Sequence, residues 1–529
     1  MARAGGLPAG VAEAADPIMP LSQVRPGMQC TGETVISGTA ISSFAVSVIN
    51  VVQAPPHGTM IMVSVSGPAV DLSGVAFGFS GSPIFCPSNT ADGTPSIIGA
   101  ISQGIGQYGN NVVLATPIQQ MLGEPVLPPS SAPRLEVRTR ALVGPLTVSG
   151  LSPALSALVQ RAGQQAGRAV QPAPIGSAPS YPVQRLVPGA SVAASYSTGA
   201  VAIGAVGTVS YRDGANVYAF GHELDGAGRR SLFLQDAYVY GVVDNPSPAA
   251  DGSYKLAAPG HLEGTLTSDN RTDVIGEVGA PPPQVPVDIV AHDLDTGHSL
   301  ALDSAVADET DIGAPIGDLL DLVAPVAVAQ AATQIYDGPP ANESGSMCLR
   351  IYLRESKLPL GFCNRYVASG APGDQSVVPP ALALASSGDV STALSLIDSV
   401  SFAALHVTRI SASIDARRGL YEGTIVAAQW RDGRQHRFRP WRRRARLDRR
   451  AAQPRRCDLE VRRGERELRQ RQRQPRPRRS GRAARLPRRR PAHHGQDEPV
   501  RGRSRRCPPL SGRQQRGDRR GGDRRGGSA

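Results

Sequence analysis

Short runs of alternating apolar and polar residues, broken by glycine, fill the chain from Met19 to Leu122. Ala45-Val46-Ser47-Val48-Ile49 and Ile61-Met62-Val63-Ser64-Val65 have the period of half-buried antiparallel strands. The pattern predicts strands at Gly32–Ile36, Phe44–Val52, Met60–Val65, Gly74–Phe77, Ile97–Ile101 and Val112–Ala115, forming a small β-barrel. A short helix follows, with Thr116 as its cap and Pro117 in its first turn. Residues 123–189 are rich in Pro, Ala, Ser and Gln and read as a connector with one helix, Pro153–Ala166. The β-pattern resumes in a second half, 190–300, where Ala200–Tyr211 and Asn216–Phe220 flank Asp213-Gly214, a strong hairpin signal.

Residues 301–430 predict a helix over Asp318–Gln334 and strand-rich stretches at Cys348–Tyr366 and Val400–Ala428. Val407–Ile414 alternates cleanly, and Gly423–Gln429 is the expected partner strand after a turn at Asp415–Glu422. Together these suggest a β-sandwich-like accessory module. The fold class is therefore mainly β, with a serine-bearing half at 19–122 and a histidine-bearing half at 190–300.

Charge divides the chain at Arg431. Beyond it lie 36 of the 56 basic residues, all arginine, and 10 of the 44 acidic ones, a net of +26; the body before it carries −14. An acidic body without a basic stripe argues against nucleic acid as its partner. The tail, 431–529, lacks apolar periodicity and reads as disordered. It suits a basic arm, but its lysine-free basicity matches a GC-rich gene read out of frame, and a frameshifted terminus is the expectation. No apolar run is long enough to span a membrane; Leu319–Ala332 is interrupted by Asp321, Pro325 and Gln330. Residues 1–18 show no signal-peptide core, so either the chain is cytoplasmic or its start lies upstream.

Cysteine usage favours export. Cys348 and Cys363 bracket a hairpin-like stretch, and Cys30 and Cys86 sit at strand edges, so two disulfides are expected against the alternative of buried thiols. His261, His292 and His298 lack matching Cys or carboxylate partners in spacing, and neither a metal nor a cofactor is expected. His57, in Pro55-Pro56-His57-Gly58, reads as an exposed turn residue.

Chemistry concentrates at Gly78-Phe79-Ser80-Gly81-Ser82-Pro83, between the apolar runs Val70–Phe77 and Ile84-Phe85. A serine between glycines can hold its hydroxyl clear of the backbone, and the amides of Gly78 and Ser80 can converge on one oxyanion. The same residues also suit a tight turn between buried strands. Ser82 is a second nucleophile candidate, but Pro83 beside it and the lack of a preceding glycine pair make Ser80 the better one. His222 follows Gly221 at the end of a strand, where an imidazole can face a cleft or simply serve structure.

Five blocks in order, Met19–Met28, Thr31-Gly32, Gly78–Pro83, Ile98-Gly99-Ala100 and Thr116–Leu122, resemble the SpoIVB-type serine peptidase family. Val206–Val209, Gly221-His222, Lys255–Gly260 and Ile275-Gly276-Glu277 resemble its second half, so the resemblance spans Met19–Ile289. It implies two β-barrel-like halves like those of a chymotrypsin-like peptidase, here with the serine half first. It also implies an enzyme acting on a protein or peptide substrate, with Ser80 and His222 as nucleophile and base and with self-processing as one outcome; the extracytoplasmic setting is expected from the cysteines, and cell-envelope association goes with the alternative below. The family's acidic position is not matched, since Val65-Ser66-Gly67-Pro68 has no carboxylate. Asp71, Asp225 and Asp236 are the candidates to orient His222. An inactive, scaffold-like member of the same fold is the alternative.

Overall fold

Strands β1 (Gln29–Val35), β2 (Ile41–Gln53), β3 (Thr59–Ser66), β4 (Pro83–Cys86), β5 (Ser96–Ile105) and β6 (Val112–Pro117) pair in the cycle β1-β2-β3-β6-β5-β4-β1, a closed six-stranded barrel. Alternation sets its interior: Phe44, Val46 and Val48 of β2 point inward and pack with Ile61, Val63, Ile84, Ile98 and Phe79. The computed structural model describes residues 15–427 and 460–463, except 89–92, 106–110, 127–131, 135–138, 143, 166–167, 174–179, 246–251, 313–318, 337–339, 341, 370–378 and 420–422. Apart from 460–463, which form a strand where disorder was expected, the tail falls outside the described residues.

Five of the six barrel strands lie where the alternation puts them; β4, which was not expected, takes the place of the strand expected at Gly74–Phe77. Gly74–Phe77 is a turn that ends in a single bridge from Phe77 to Tyr254. Helix α1 (Ile118–Met121) starts after Pro117, and Thr116 belongs to β6 and caps nothing.

The connector is built into both sheets. Strand β7 (Thr139–Ala141) adds to β5, whereas β8 (Leu146–Ser149) and β9 (Val170–Pro172), separated by α2 (Pro153–Gln165), extend the second sheet. That sheet contains β10 (Ser191–Gly199), β11 (Ala202–Asp213), β12 (Asn216–Ala219), β13 (Gly228–Val243), β14 (Tyr254–Asn270) and β15 (Asp273–Val278). These six pair in a second cycle, β10-β11-β12-β15-β14-β13-β10. The hairpin forms where expected, but its two turn residues are Gly214, at φ +58°, and Ala215, while Asp213 still pairs with Asn216. Val35 of the barrel packs with Ala193, Val206, Ala237, Val239 and Ala257 of the second sheet.

The rest is a two-layer α/β arrangement. Strands β16 (Gln284–Asp293) and β17 (Ser299–Ala307), helix α3 (Leu319–Gln334), strands β18 (Asn342–Leu353) and β19 (Leu360–Ser369), helix α4 (Ala381–Asp398) and β20 (Val407–Arg418) give the order β19-β18-β20-β16-β17, with α3 and α4 against each other and the sheet. This corrects the β-sandwich expectation. Leu382, Ser386, Val390, Leu394 and Ile397 are buried at helical spacing, so the sheet's partner layer is helical. Strand β20 pairs with β18 and, in parallel, with β16, while Gly423–Ala427 is a strand outside this sheet. A second unit, Val426–Ala529, contributes one described strand, Glu460–Arg463.

Candidate active site

The turn before β4 is held from three sides. Ser82 donates its hydroxyl to the Phe79 carbonyl at 2.6 Å, the Gly81 amide donates to Ile101 O at 2.7 Å, and the Thr208 amide of β11 donates to Ser80 O at 2.9 Å. Gly78 and Gly81 sit at φ +88° and +89°, conformations that favour glycine. At Gly81 space also decides: a Cβ there would stand 2.0 Å from Thr208 O and 2.5 Å from Phe220 N.

Strand β12 leads to Phe220, whose main chain lies beside Gly81, and His222 follows two residues later; no hydrogen bond joins His222 to Ser80 among the described residues. Phe220 and Gly221 both take φ +69°, which turns the chain sharply off the strand. Gly221 lies so close to β5 that a Cβ would be 3.1 Å from Ser102 Cβ, and Thr116 donates its hydroxyl to Gly221 O at 2.6 Å. The first barrel therefore anchors the residue before His222 directly.

The imidazole is buried, 1% exposed, and Ser80 is 2% exposed. His222 Nδ1 lies 2.6 Å from Glu223 O. A carbonyl only accepts, so Nδ1 carries the proton and Nε2 presents its lone pair. Among the described residues Nε2 makes no hydrogen bond, although the Leu142 main chain is close enough to favour the protonated ring. Burial outweighs that contribution and the Glu223 carbonyl, lowering the pKa and keeping the ring neutral.

None of the three carboxylates expected to orient His222 does so. Asp225 accepts from Tyr196 at 2.5 Å, Arg168 at 2.7 Å and Arg230 at 3.0 Å. Burial would raise its pKa, but those donors prevail and hold it below the usual value. Asp236 binds Tyr181, Gln184 N and both the amide and Nδ1 of His261, so His261 has the carboxylate partner its spacing did not reveal. Asp71 accepts from Gly67 N. His57 is half-buried, not exposed, and lies within electrostatic reach of Glu223 and Arg271. Among the described residues no cluster of His, Cys, Asp and Glu could hold a metal ion.

Two residues that the sequence reading did not single out shape the site. Asp269, buried on β14, accepts from the amides of Leu224, Asp225 and Ala227, so it fixes the loop that carries Glu223 O. Lys255, also on β14, is buried beneath the turn: Nζ reaches Thr34 Oγ1 at 2.7 Å, Thr208 Oγ1 at 3.1 Å and the Phe79 ring centroid at 5.0 Å. Thr208 Oγ1 in turn donates to Gly78 O at 3.1 Å. Burial pushes the Lys255 amine down to about 7. Two sequence signals pointed to it, since it opens the resembling block Lys255–Gly260 and the chain has only two lysines, Lys255 and Lys357.

No family model, curated protein or solved structure matches this chain.

Proposed function

We propose that the protein is a serine peptidase with Ser80 as nucleophile and His222 as general base. The observation that carries this reading is the placement of the Gly78–Pro83 turn against Thr208 and Phe220, two residues from a neutral imidazole whose Nε2 is unprotonated. Ser82 is the weaker nucleophile, because its hydroxyl proton is held by Phe79 O. The two strand cycles support a likeness to two-barrel, chymotrypsin-like peptidases, and catalysis between such barrels depends on geometry, not on which half comes first.

In this mechanism Ser80 Oγ attacks the peptide carbonyl and its proton passes to His222 Nε2. The oxyanion forms against the Gly78 and Ser80 amides. His222 then protonates the leaving amine, and water, activated by the same nitrogen, hydrolyses the acyl-enzyme. The Glu223 carbonyl takes the orienting role usually filled by a carboxylate. A carbonyl stabilises the imidazolium less than an anion does, which implies slow turnover.

The Cys30–Cys86 and Cys348–Cys363 disulfides favour an oxidising, extracytoplasmic setting and a protein or peptide substrate met there. A second reading, an inactive envelope-binding member of the same fold, draws on the burial of both Ser80 and His222 and on the lack, among the described residues, of a carboxylate hydrogen-bonded to the ring.

Labelling by a fluorophosphonate probe separates the two. The parent should label, and Ser80→Ala and His222→Ala should each abolish labelling without altering the melting profile. A folded parent that stays unlabelled would favour the binding-protein reading.

A further inference from the structure

Strand β5 runs past the start of β4, and the chain's own connector covers the part that extends beyond it. Pro83 of β4 pairs with Ala100, whereas Ala141, Arg140 and Thr139 of β7 pair antiparallel with Gln103, Gly104 and Ile105. The register of β5 against β6 shifts between Ile101 and Gln103, leaving Ser102 as a bulge residue. Consecutive carbonyls then serve two different segments: Ile101 O accepts from Gly81 N, beside the nucleophile, and Ser102 O accepts from Leu142 N at 2.8 Å.

Leu142 is buried in the same apolar cluster as Phe79, Ile98 and Ile101, and its main chain acts on the His222 ring. Two residues on, Gly144 lies beside the Gly78 amide, where a Cβ would come within 3.6 Å of that nitrogen. Residues 139–142 are thus extended and hydrogen-bonded to a sheet edge, with the Leu142 main chain near the base and its side chain packed with Phe79 beside the nucleophile, and Gly144 lies next to one of the two oxyanion donors. That is how a peptide added as a β-strand engages a protein, with main-chain bonds for affinity and a pocket for one side chain.

We propose that the edge of β5 from Ser102 to Ile105 is the peptide-binding edge, that it takes an extended peptide with an aliphatic side chain where Leu142 sits, and that residues 139–142 of this chain hold that place until displaced. The inference rests on the serine peptidase reading for its function, but the binding edge can be tested separately.

The test uses the full chain. Probe labelling of Ser80 is timed in the parent, Leu142→Asp and Leu142→Ala, the last variant introducing no charge that could prevent folding. A fluorescein-labelled peptide reproducing residues 139–142 is titrated into the same three proteins carrying Ser80→Ala. Labelling should be at least ten-fold faster in Leu142→Asp, with a smaller gain in Leu142→Ala, and both should show saturable peptide binding that the parent lacks. Peptide binding without labelling in any variant would uphold the edge and remove the hydrolase reading. Equal labelling throughout, with no peptide binding to folded Leu142→Ala, would overturn the edge and leave the hydrolase reading intact. Loss of both signals from folded Leu142→Ala would overturn both.

Discussion

Lys255 shows how one buried side chain ties the fold to pH. Its folded-state pKa is lowered to about 7, while an unfolded lysine keeps the ordinary value of 10.5. Below about pH 7 both states hold the proton and the fold bears the full penalty of a buried ammonium. Between 7 and 10.5 only the unfolded chain binds it, so stability rises with pH by at most about 1.4 kcal/mol per unit. Urea unfolding of Lys255→Met should lack this rise, and the variant should gain on the parent most at low pH; parallel pH profiles would contradict the assignment. Residue chemistry was legible unevenly. The Ser80 turn stood out because Gly, Ser and Pro restrict the backbone locally, and His222 because it follows Gly221 at a strand end. Lys255 could be noticed only as part of a resembling block and as one of two lysines, since its meaning lies in Thr34 and Thr208, which distant strands bring to it.

Loops and helices show the same dependence on partners. The loop from Glu223 to Ala227 has little regular structure, yet three of its amides converge on Asp269. Asp269→Ala would leave those donors without their acceptor, and we expect a loss of about 2–4 kcal/mol of stability. Probe labelling should fall at least ten-fold, because the carbonyl that sets the His222 tautomer would no longer be fixed; denaturation and labelling of the same sample check both, and full labelling would remove the loop from the mechanism. Period-2 alternation found most strands, and Asp-Gly found the β11–β12 turn. It did not find α4, whose buried positions are carried partly by Ser386 and whose stretch holds Gly388 and several serines, so the apolar stripe is thin. Thr116 looked like a helix cap because the sequence beside it suits one, but a tertiary acceptor, Gly221 O, takes its hydroxyl.

Closure is what the sequence conveys least, because alternation says which face of a strand is buried and nothing about which strand lies beside it. In the first barrel, closure depends on β4, a four-residue strand that leads directly out of the Ser80 turn and pairs with both β1 and β5. The Cys30–Cys86 disulfide lies on that seam, next to the Thr31–Phe85 and Gly32–Ile84 pairs, and spans 56 residues. Cys348–Cys363 spans 15 and joins directly opposed residues of a hairpin far from Ser80 in the chain. Loop-closure entropy alone assigns about 4 kcal/mol to the first and about 3 kcal/mol to the second. Function should separate them further. Replacing Cys30 and Cys86 by Ala loosens the strand that fixes the turn, so probe labelling should drop along with the unfolding midpoint. Replacing Cys348 and Cys363 should lower the midpoint and leave labelling of the folded protein unchanged. If labelling falls equally in both, the site depends on the C-terminal layer as well as on the barrel seam, and β4 is not the element that holds Ser80 in place.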